Sequence, residues 1–328
     1  MSLKEVLVGT ATAATLAEQV EAPGVRQVLD GLRAVWTRAR RSERVAYVAA
    51  AVLVASGLFH LGVFAIDGGP WAGPVSWRKP VTFGLSVGLT FATVAWALSF
   101  LRLGEWTRAV LLGTLVFAGT LDVFAITLQS WRGKASHFNE ETPLDSFIGR
   151  FGVAAGGGLI FLAILAMTVV NLRRAPFAGV PRELRLALRA GWLTLFAATV
   201  FGVAMVATAV SITAAPGEGA DEQQAAYAST GFLKPAHAVT MHAILVLPML
   251  AWLTSFLPWT PARRLRTVAW ATAGYTLLAA AVCAQALART TPLTAPLWAN
   301  APVALGAATL AVPTLRIAAA LVHRPTPR

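Results

Sequence analysis

The sequence predicts an all-α protein, a polytopic transmembrane helix bundle of about eight spans preceded by an N-terminal amphipathic helical segment. Apolar residues make up 56% of the 328 residues and charged residues only 13%, whereas a soluble domain carries about 25% charged residues. The apolar residues are grouped in runs of about 20, the length that a helix needs to cross a bilayer. Barrel strands would be about half as long and would alternate with polar residues, so the runs favour helices.

The N-terminal segment, residues 1–44, precedes the first apolar run. Residues 3–21 are compatible with one helix, which Pro23 and Gly24 end. The next stretch carries apolar residues at helical spacing, with arginines on the other face; the apolar set is Val25, Val28, Leu29, Leu32 and Trp36. Two interpretations stay open, an interfacial helix on an anionic leaflet and a solvated helix packed on the protein's own loops.

Eight apolar runs define a transmembrane domain over residues 45–322, followed by a tail at 323–328. The runs lie at 45–66, 81–103, 109–130, 146–171, 191–214, 236–257, 266–288 and 302–322. Lys and Arg are concentrated on the side that holds both termini, which the positive-inside rule places in the cytoplasm. The sequence therefore predicts a multi-pass protein of the cell membrane with both termini in the cytoplasm. The formal charge of +12 is explained by these loops and not by nucleic acid.

Three ionisable side chains lie inside the predicted spans: His60, Asp122 and His242. Such residues are costly in a membrane and mark functional sites. Each lies about 10–12 Å below the extracytoplasmic end of its span, at 1.5 Å per residue. Matching depth on three helices predicts that they face one another. A structural role, a hydrogen bond from each His to a neighbouring helix or a pairing of Asp122 with Arg132 or Arg150, is the alternative.

The predicted extracytoplasmic loops and span ends add further polar residues. These are Arg78, Lys79, Arg132, His137, Arg150, Lys234 and His237. His237 and His242 are five residues apart, about 140° around a helix, so they are not an i, i+4 metal pair. Gly152 and Gly156 form a small-xxx-small pair that indicates close helix packing. Together the polar groups predict a cavity open to the outer side and lined by His60, Asp122, His137 and His242.

The first functional hypothesis is a haem- or metal-binding membrane oxidoreductase. Neutral imidazole nitrogen is a good ligand for haem iron and transition metals, and a b-type haem needs two axial histidines. His60 and His242 are the predicted ligands. The basic residues Arg78, Lys79, Arg132, Arg150 and Lys234 would hold the haem propionates by charge-assisted hydrogen bonds.

Three other functions fit the same residues. One is an enzyme acting on an outer-leaflet lipid or a small amphipathic molecule, with Asp122, His137 and His237 as general acids and bases and the basic residues binding an anionic head group. Another is a transporter or sensor that uses the same pocket. The last is a purely structural or assembly role.

Two sequence motifs resemble those of a group of bacterial multi-pass membrane proteins. The first is an RGxxSHFN-type loop, here Arg132, Gly133, Ser136, His137, Phe138 and Asn139. The second is a later His-x4-His helix rich in Leu and Pro, here His237 and His242. The resemblance covers about a third of the chain. It implies that the two motifs belong together and brings no mechanism with it.

Overall fold

The protein is described from a computed structural model that covers residues 23–173, 177, 179–213 and 220–322. The predicted helix at 3–21 and the tail at 323–328 lie outside the described residues. Within those ranges every regular element is helical. The predicted all-α class is therefore confirmed.

Eleven α-helices carry the fold of the described residues. They are α1 (Pro23–Arg38), α2 (Arg41–Asp67), α3 (Arg78–Ser99), α4 (Glu105–Trp131), α5 (Pro143–Phe147), α6 (Ala155–Leu172), α7 (Arg182–Thr213), α8 (Ala220–Ser229), α9 (Lys234–Thr254), α10 (Pro261–Leu287) and α11 (Leu297–Val322). A π-helical turn, Ile148–Ala154, joins α5 to α6, and a short 3-10 turn, Gly231–Leu233, joins α8 to α9.

Eight helical segments of the described residues are long and apolar enough to cross a membrane, and each overlaps one of the eight predicted runs. The fourth combines α5, the π-helical turn and α6 as Pro143–Leu172. The fifth begins at Arg182, well before the predicted start at 191, because backbone hydrogen bonds extend the helix past the apolar run. Hydropathy marks the part of a helix that fits the bilayer and not the point where the helix begins.

The spans are arranged around a ring of five helices. Consecutive contacts join α3 to α4, α4 to α6, α6 to α7 and α7 to α9, and a contact between α9 and α3 closes the ring. Helix α2 packs outside α3 and α4, while α10 and α11 pack outside α9. We call the end with the starts of α2 and α4 the terminal end, and the end with the starts of α3 and α9 the mouth end.

Glycines set the closest helix contacts. A Cβ atom at Gly84 of α3 would lie 2.9 Å from the backbone of Gly57 in α2. A Cβ atom at Gly306 of α11 would lie 2.5 Å from the backbone nitrogen of Leu278 in α10. Such approaches exclude any side chain, and they are the usual way in which membrane helices gain packing contacts without a hydrophobic driving force.

Helix α1 packs on the bundle through one face and exposes another. A Cβ atom at Gly31 would lie 2.8 Å from the Phe256 ring and 2.9 Å from the Trp252 ring, both at the terminal end near the close of α9. The apolar side chains Val25, Leu29, Leu32 and Trp36 remain exposed. The predicted amphipathic helix is therefore present over Pro23–Arg38, with part of its apolar surface against the bundle.

A buried ion pair fastens α2, α3 and α4 together at the terminal end. Arg108 of α4 is 0% exposed and lies 3.1 Å from the carboxylate of Glu43 on α2, which is 2% exposed. The same guanidinium donates to the carbonyls of Leu98 and Leu101, at the end of α3. Arg40 completes the network by contacting both Glu43 and Glu105.

We predict that Glu43→Ala destabilises the protein strongly. The substitution leaves the buried guanidinium of Arg108 without its carboxylate partner, and breaking a buried ion pair in this way costs about 3–5 kcal/mol. The measurement is the thermal unfolding midpoint in detergent. The control is Glu140→Ala, which removes an exposed ion pair with Arg150 and should cost under about 1 kcal/mol. Equal midpoints for the two variants would contradict the role of the buried pair.

Candidate functional site

His60 lies in an aromatic box at the mouth end and has both ring nitrogens engaged. Its Nδ1 donates to the carbonyl oxygen of Ser56, 2.7 Å away on the same helix, and its Nε2 accepts a hydrogen bond of 2.9 Å from the Trp131 indole. The ring stacks on Trp77 with centroids 6.0 Å apart. A metal at His60 would have to displace one of these protein partners, so the site fits the structural role better than the ligand role.

His60 and Asp122 do not lie side by side as their equal distances from the span ends predict, and the contact of His60 with Trp131 shows why. Trp131 is the last residue of α4, so His60 lies level with the end of that helix. Asp122 is nine residues earlier, about 13 Å deeper at 1.5 Å per residue. Helix α2 therefore extends past the end of α4, and equal distance from the helix ends does not give equal depth.

Asp122 is a buried carboxyl at the contact between α4 and α6. A Cβ atom at Gly156 would lie 3.4 Å from the Cβ of Asp122, and one at Gly152 would lie 2.6 Å from Ala125, which confirms that this glycine pair packs closely. Asp122 is 8% exposed, and its Oδ1 has no hydrogen-bond partner within the described ranges.

The expected partners of Asp122 are engaged elsewhere. Arg132 lies 2.6 Å from Asp145, and Arg150 lies 3.0 Å from Glu140. The interpretation that Asp122 pairs with one of these arginines is therefore wrong. Both arginines lie close in sequence to the acidic residues of the loop after α4, and the ion pairs that form are the local ones.

His237 and His242 share one arrangement on α9. His237 Nδ1 lies 2.7 Å from the carbonyl oxygen of Ala198 on α7, and His242 Nδ1 lies 2.6 Å from that of Ala238. A carbonyl only accepts, so each Nδ1 carries the proton and each Nε2 presents a lone pair. Neither Nε2 has a hydrogen-bond partner among the described residues.

The loop from Arg132 to Thr142 is held by ion pairs and by a buried carboxylate. Asp145, which is fully buried, accepts from Gln129 and from the hydroxyl of Thr142 besides its pair with Arg132. Lys134 pairs with Glu141 in the same loop. Every acidic side chain of this loop is thus matched by a nearby cation.

The same loop places Ser136 and His137 next to Lys79 at the start of α3. Lys79 Nζ donates to Ser136 Oγ at 3.1 Å, and Ser136 Oγ lies 2.8 Å from His137 Nδ1. Since the ammonium can only donate, the serine hydroxyl is free to donate onward to His137. Phe138, the next residue, has φ of +56°, an unusual backbone conformation for a large side chain.

The surroundings of His137 favour the neutral form of its imidazole. Burial, and after it the charge of Lys79, lowers the pKa of His137 to about 3. A group with this pKa is a poor base at neutral pH. The imidazole can instead polarise a ligand through its Nε2, which has no hydrogen-bond partner in the described part of the chain.

Tyr227 of α8 joins the two remaining cations. Arg78 Nη2 donates to the Tyr227 hydroxyl at 2.8 Å, and Arg78 Nε donates to the Trp71 carbonyl at 3.1 Å. Lys234 Nζ lies 3.5 Å from the centre of the Tyr227 ring and donates to the backbone carbonyl of Tyr227. We call Arg78, Lys79, Lys234 and Tyr227 the mouth cluster; none of its three cations has an ion pair with a described Asp or Glu.

The structure thus brings together only part of the predicted site. Lys79 and His137 are joined through Ser136, and Arg78 and Lys234 through Tyr227. Within the described ranges, His60 contacts Trp131, Arg132 pairs with Asp145 and Arg150 pairs with Glu140, while Asp122 lies deeper than His60. No group of three or more His, Cys, Asp or Glu within the described ranges could hold a metal ion.

Sequence reasoning missed Ser136 as a site residue and missed Tyr227 altogether. Ser136 stands beside His137 in the RGxxSHFN-type loop, so the motif itself marks it as a candidate site residue. Tyr227 carried no comparable signal, because its role depends on a contact with a residue 149 positions away.

Comparison with known proteins identifies no relative: no family model, no curated protein and no solved structure matches this chain. The resemblance to bacterial proteins with an RGxxSHFN-type loop stays a prediction.

We predict that acid destabilises the protein partly through His137. An unfolded His has a pKa of about 6.5, well above the folded value, so between those two pH values the unfolded state binds more protons. Stability from this residue is complete at pH 7 and is lost as pH falls below about 6.5, by at most about 1.4 kcal/mol per pH unit. Thermal midpoints at several pH values between 7.5 and 5 measure it. His137→Gln should flatten the curve, and parallel curves for the two proteins would refute the assignment.

Proposed function

We propose that this multi-pass membrane protein binds the anionic head group of an amphipathic molecule at the mouth cluster. The observation that carries the proposal is Lys79, an ammonium only 8% exposed whose one hydrogen-bond partner among the described residues is the hydroxyl of Ser136. A buried charge is costly unless it is paired. A bound anion would supply the missing countercharge.

The donors of the mouth cluster suit phosphate, sulfate or carboxylate. Arg78 uses two of its five N–H donors on Tyr227 and Trp71, which leaves donors for a second, bidentate contact. Lys234 adds a second ammonium at the start of α9. Interactions of this kind act in a partly dry site and are therefore stronger than on an exposed surface.

The position of the cluster favours a ligand with an apolar part. Trp71 and Trp77 lie beside it, and tryptophans are enriched where a membrane meets water. The Ser136–His137 pair adds a polar contact on the other side of Lys79. This arrangement supports the lipid or amphiphile hypothesis with its chemistry changed, because a neutral His137 polarises a ligand and does not remove its proton.

We also propose that the terminal end faces the cytoplasm, which places the mouth cluster on the extracytoplasmic side. The support is the positive-inside rule. Arginines that mark the terminal end include Arg38, Arg40, Arg41, Arg44, Arg102, Arg182, Arg185 and Arg264.

We predict that Lys79→Met weakens binding of a short-chain alkyl phosphate by at least about tenfold. A hydrogen bond to a charged group contributes about 1.5–3 kcal/mol, and 1.4 kcal/mol is a factor of ten in affinity. Isothermal titration calorimetry on the purified protein in detergent gives the Kd. Arg78→Gln and Lys234→Gln should also weaken binding.

The matched control is Lys134→Met, which removes an ammonium from the loop that is already paired with Glu141. It should bind the alkyl phosphate as the native protein does. Undetectable binding by the native protein, or equal affinity for Lys79→Met, would reject the proposal. Inorganic phosphate in place of the alkyl phosphate tests the apolar part of the ligand.

A second candidate function, metal or haem binding, is supported by the two histidines of α9. A ligating His usually donates its other ring N–H to a carbonyl or carboxylate, and His237 and His242 both do so. If His60 and His242 are the two ligands, His60 can bind only after the Trp131 indole stops donating to the Nε2 of His60. The mouth cluster would then bind propionates.

This second candidate predicts that metal or haem copurifies with the protein and is lost in His242→Ala. Reduced-minus-oxidised absorption spectra and elemental analysis measure both. Trp131→Phe removes the donor to His60 Nε2 and should preserve or strengthen binding if His60 is the partner ligand. A native protein without metal or haem band, purified from metal-supplemented and haem-supplemented cells, would exclude this function.

A further inference from the structure

An open groove of about 830 Å³ runs along α4 beside the start of α2, away from the mouth cluster. Its lining follows one face of α4, from Glu105 at the terminal end to Phe124, and includes Val45 of α2. At 1.5 Å per residue this face is about 28 Å long, close to the ~30 Å hydrocarbon thickness of a bilayer. The groove therefore crosses at least one leaflet.

The wall of the groove is almost wholly apolar and is open to the surroundings of the bundle. Val45, Phe117 and Phe124 lie at it with exposed side chains. Gly113 lines the middle, and a Cβ atom there would meet nothing within 4 Å. The missing side chain at Gly113 leaves room along the helix for a narrow apolar chain.

Polar groups occur at the terminal end of the groove, where a lipid head group would lie. Arg41 is exposed and has no ion pair with a described carboxylate, whereas the neighbouring Glu105 is paired with Arg40 at 2.8 Å. The hydroxyl of Ser42 is buried and has no hydrogen-bond partner in the described ranges. A free guanidinium and a free hydroxyl at one end of an apolar groove match a phosphate joined to an acyl chain.

We propose that this groove is a binding site for one anionic phospholipid of the leaflet at the terminal end. One acyl chain lies along α4 past Gly113, and the phosphate accepts hydrogen bonds from Arg41 and, once its side chain rotates toward the groove, from Ser42. Such a lipid covers the side of the α2–α4 pair that lies next to the Glu43–Arg108 ion pair. The site is independent of the mouth cluster, which lies at the other end of the bundle.

The test is native mass spectrometry of the detergent-purified protein loaded with phosphatidylglycerol. The native protein should retain at least one lipid per chain. Gly113→Leu fills the groove without a clash and should lower retention by about tenfold or more, a loss of about 1.4 kcal/mol or more. The matched control is Gly158→Leu on α6, which is also exposed and would meet nothing within 4 Å.

Arg41→Gln should lower retention of phosphatidylglycerol, while Arg44→Gln, at the same end but outside the groove lining, should not. Native levels of retention in Gly113→Leu, or no retained lipid in the native protein, would overturn the proposal. Equal retention of phosphatidylcholine would overturn the head-group assignment. Measured in the Lys79→Met background, which lacks the ammonium of the mouth cluster, Gly113→Leu should lower retention by the same factor, so this test and the alkyl phosphate titration fail independently.

Discussion

The ion pair between Glu43 and Arg108 is the interaction on which the first half of the bundle depends. Both groups are out of contact with water, and the guanidinium also satisfies two carbonyls at the end of α3. One side chain thus joins three helices in a place where an unpaired charge or carbonyl is costly. The tight glycine contact between α2 and α3 requires the same alignment of these helices.

At the mouth end, too, an unpaired charge away from water is costly, and the charged side chains there are arranged in two ways. In the loop after α4, cations and carboxylates are paired within the loop or with the start of the next span. In the mouth cluster, two cations contact a tyrosine, a third donates to Ser136, and no described carboxylate joins them. A folded protein can tolerate this excess of positive charge if an anionic ligand neutralises it. A ligand that binds only the folded state also stabilises that state.

The sequence was sufficient for the spans and insufficient for the site, for a physical reason. A span is defined by local composition, so all eight runs could be recognised one at a time, and the packing of Gly152 and Gly156 followed from their spacing. The site depends on contacts between distant segments, such as Lys79 with Ser136, 57 positions apart. The depth of a residue along its own helix does not predict these contacts. Depths on two helices can be compared only if the helices end at the same level, and α2 and α4 do not.

The left-handed backbone at Phe138 has a consequence for how the loop can vary. A residue with a Cβ in this region carries a strain of about 1–2 kcal/mol, which glycine would avoid. The phenyl ring lies against the imidazole of His137, with ring centroids 6.2 Å apart, so glycine would relieve the backbone and remove this contact. The backbone strain at Phe138 therefore accompanies a contact that positions the His137 imidazole. Substitutions at this position that raise the stability of the loop should leave His137 less well positioned.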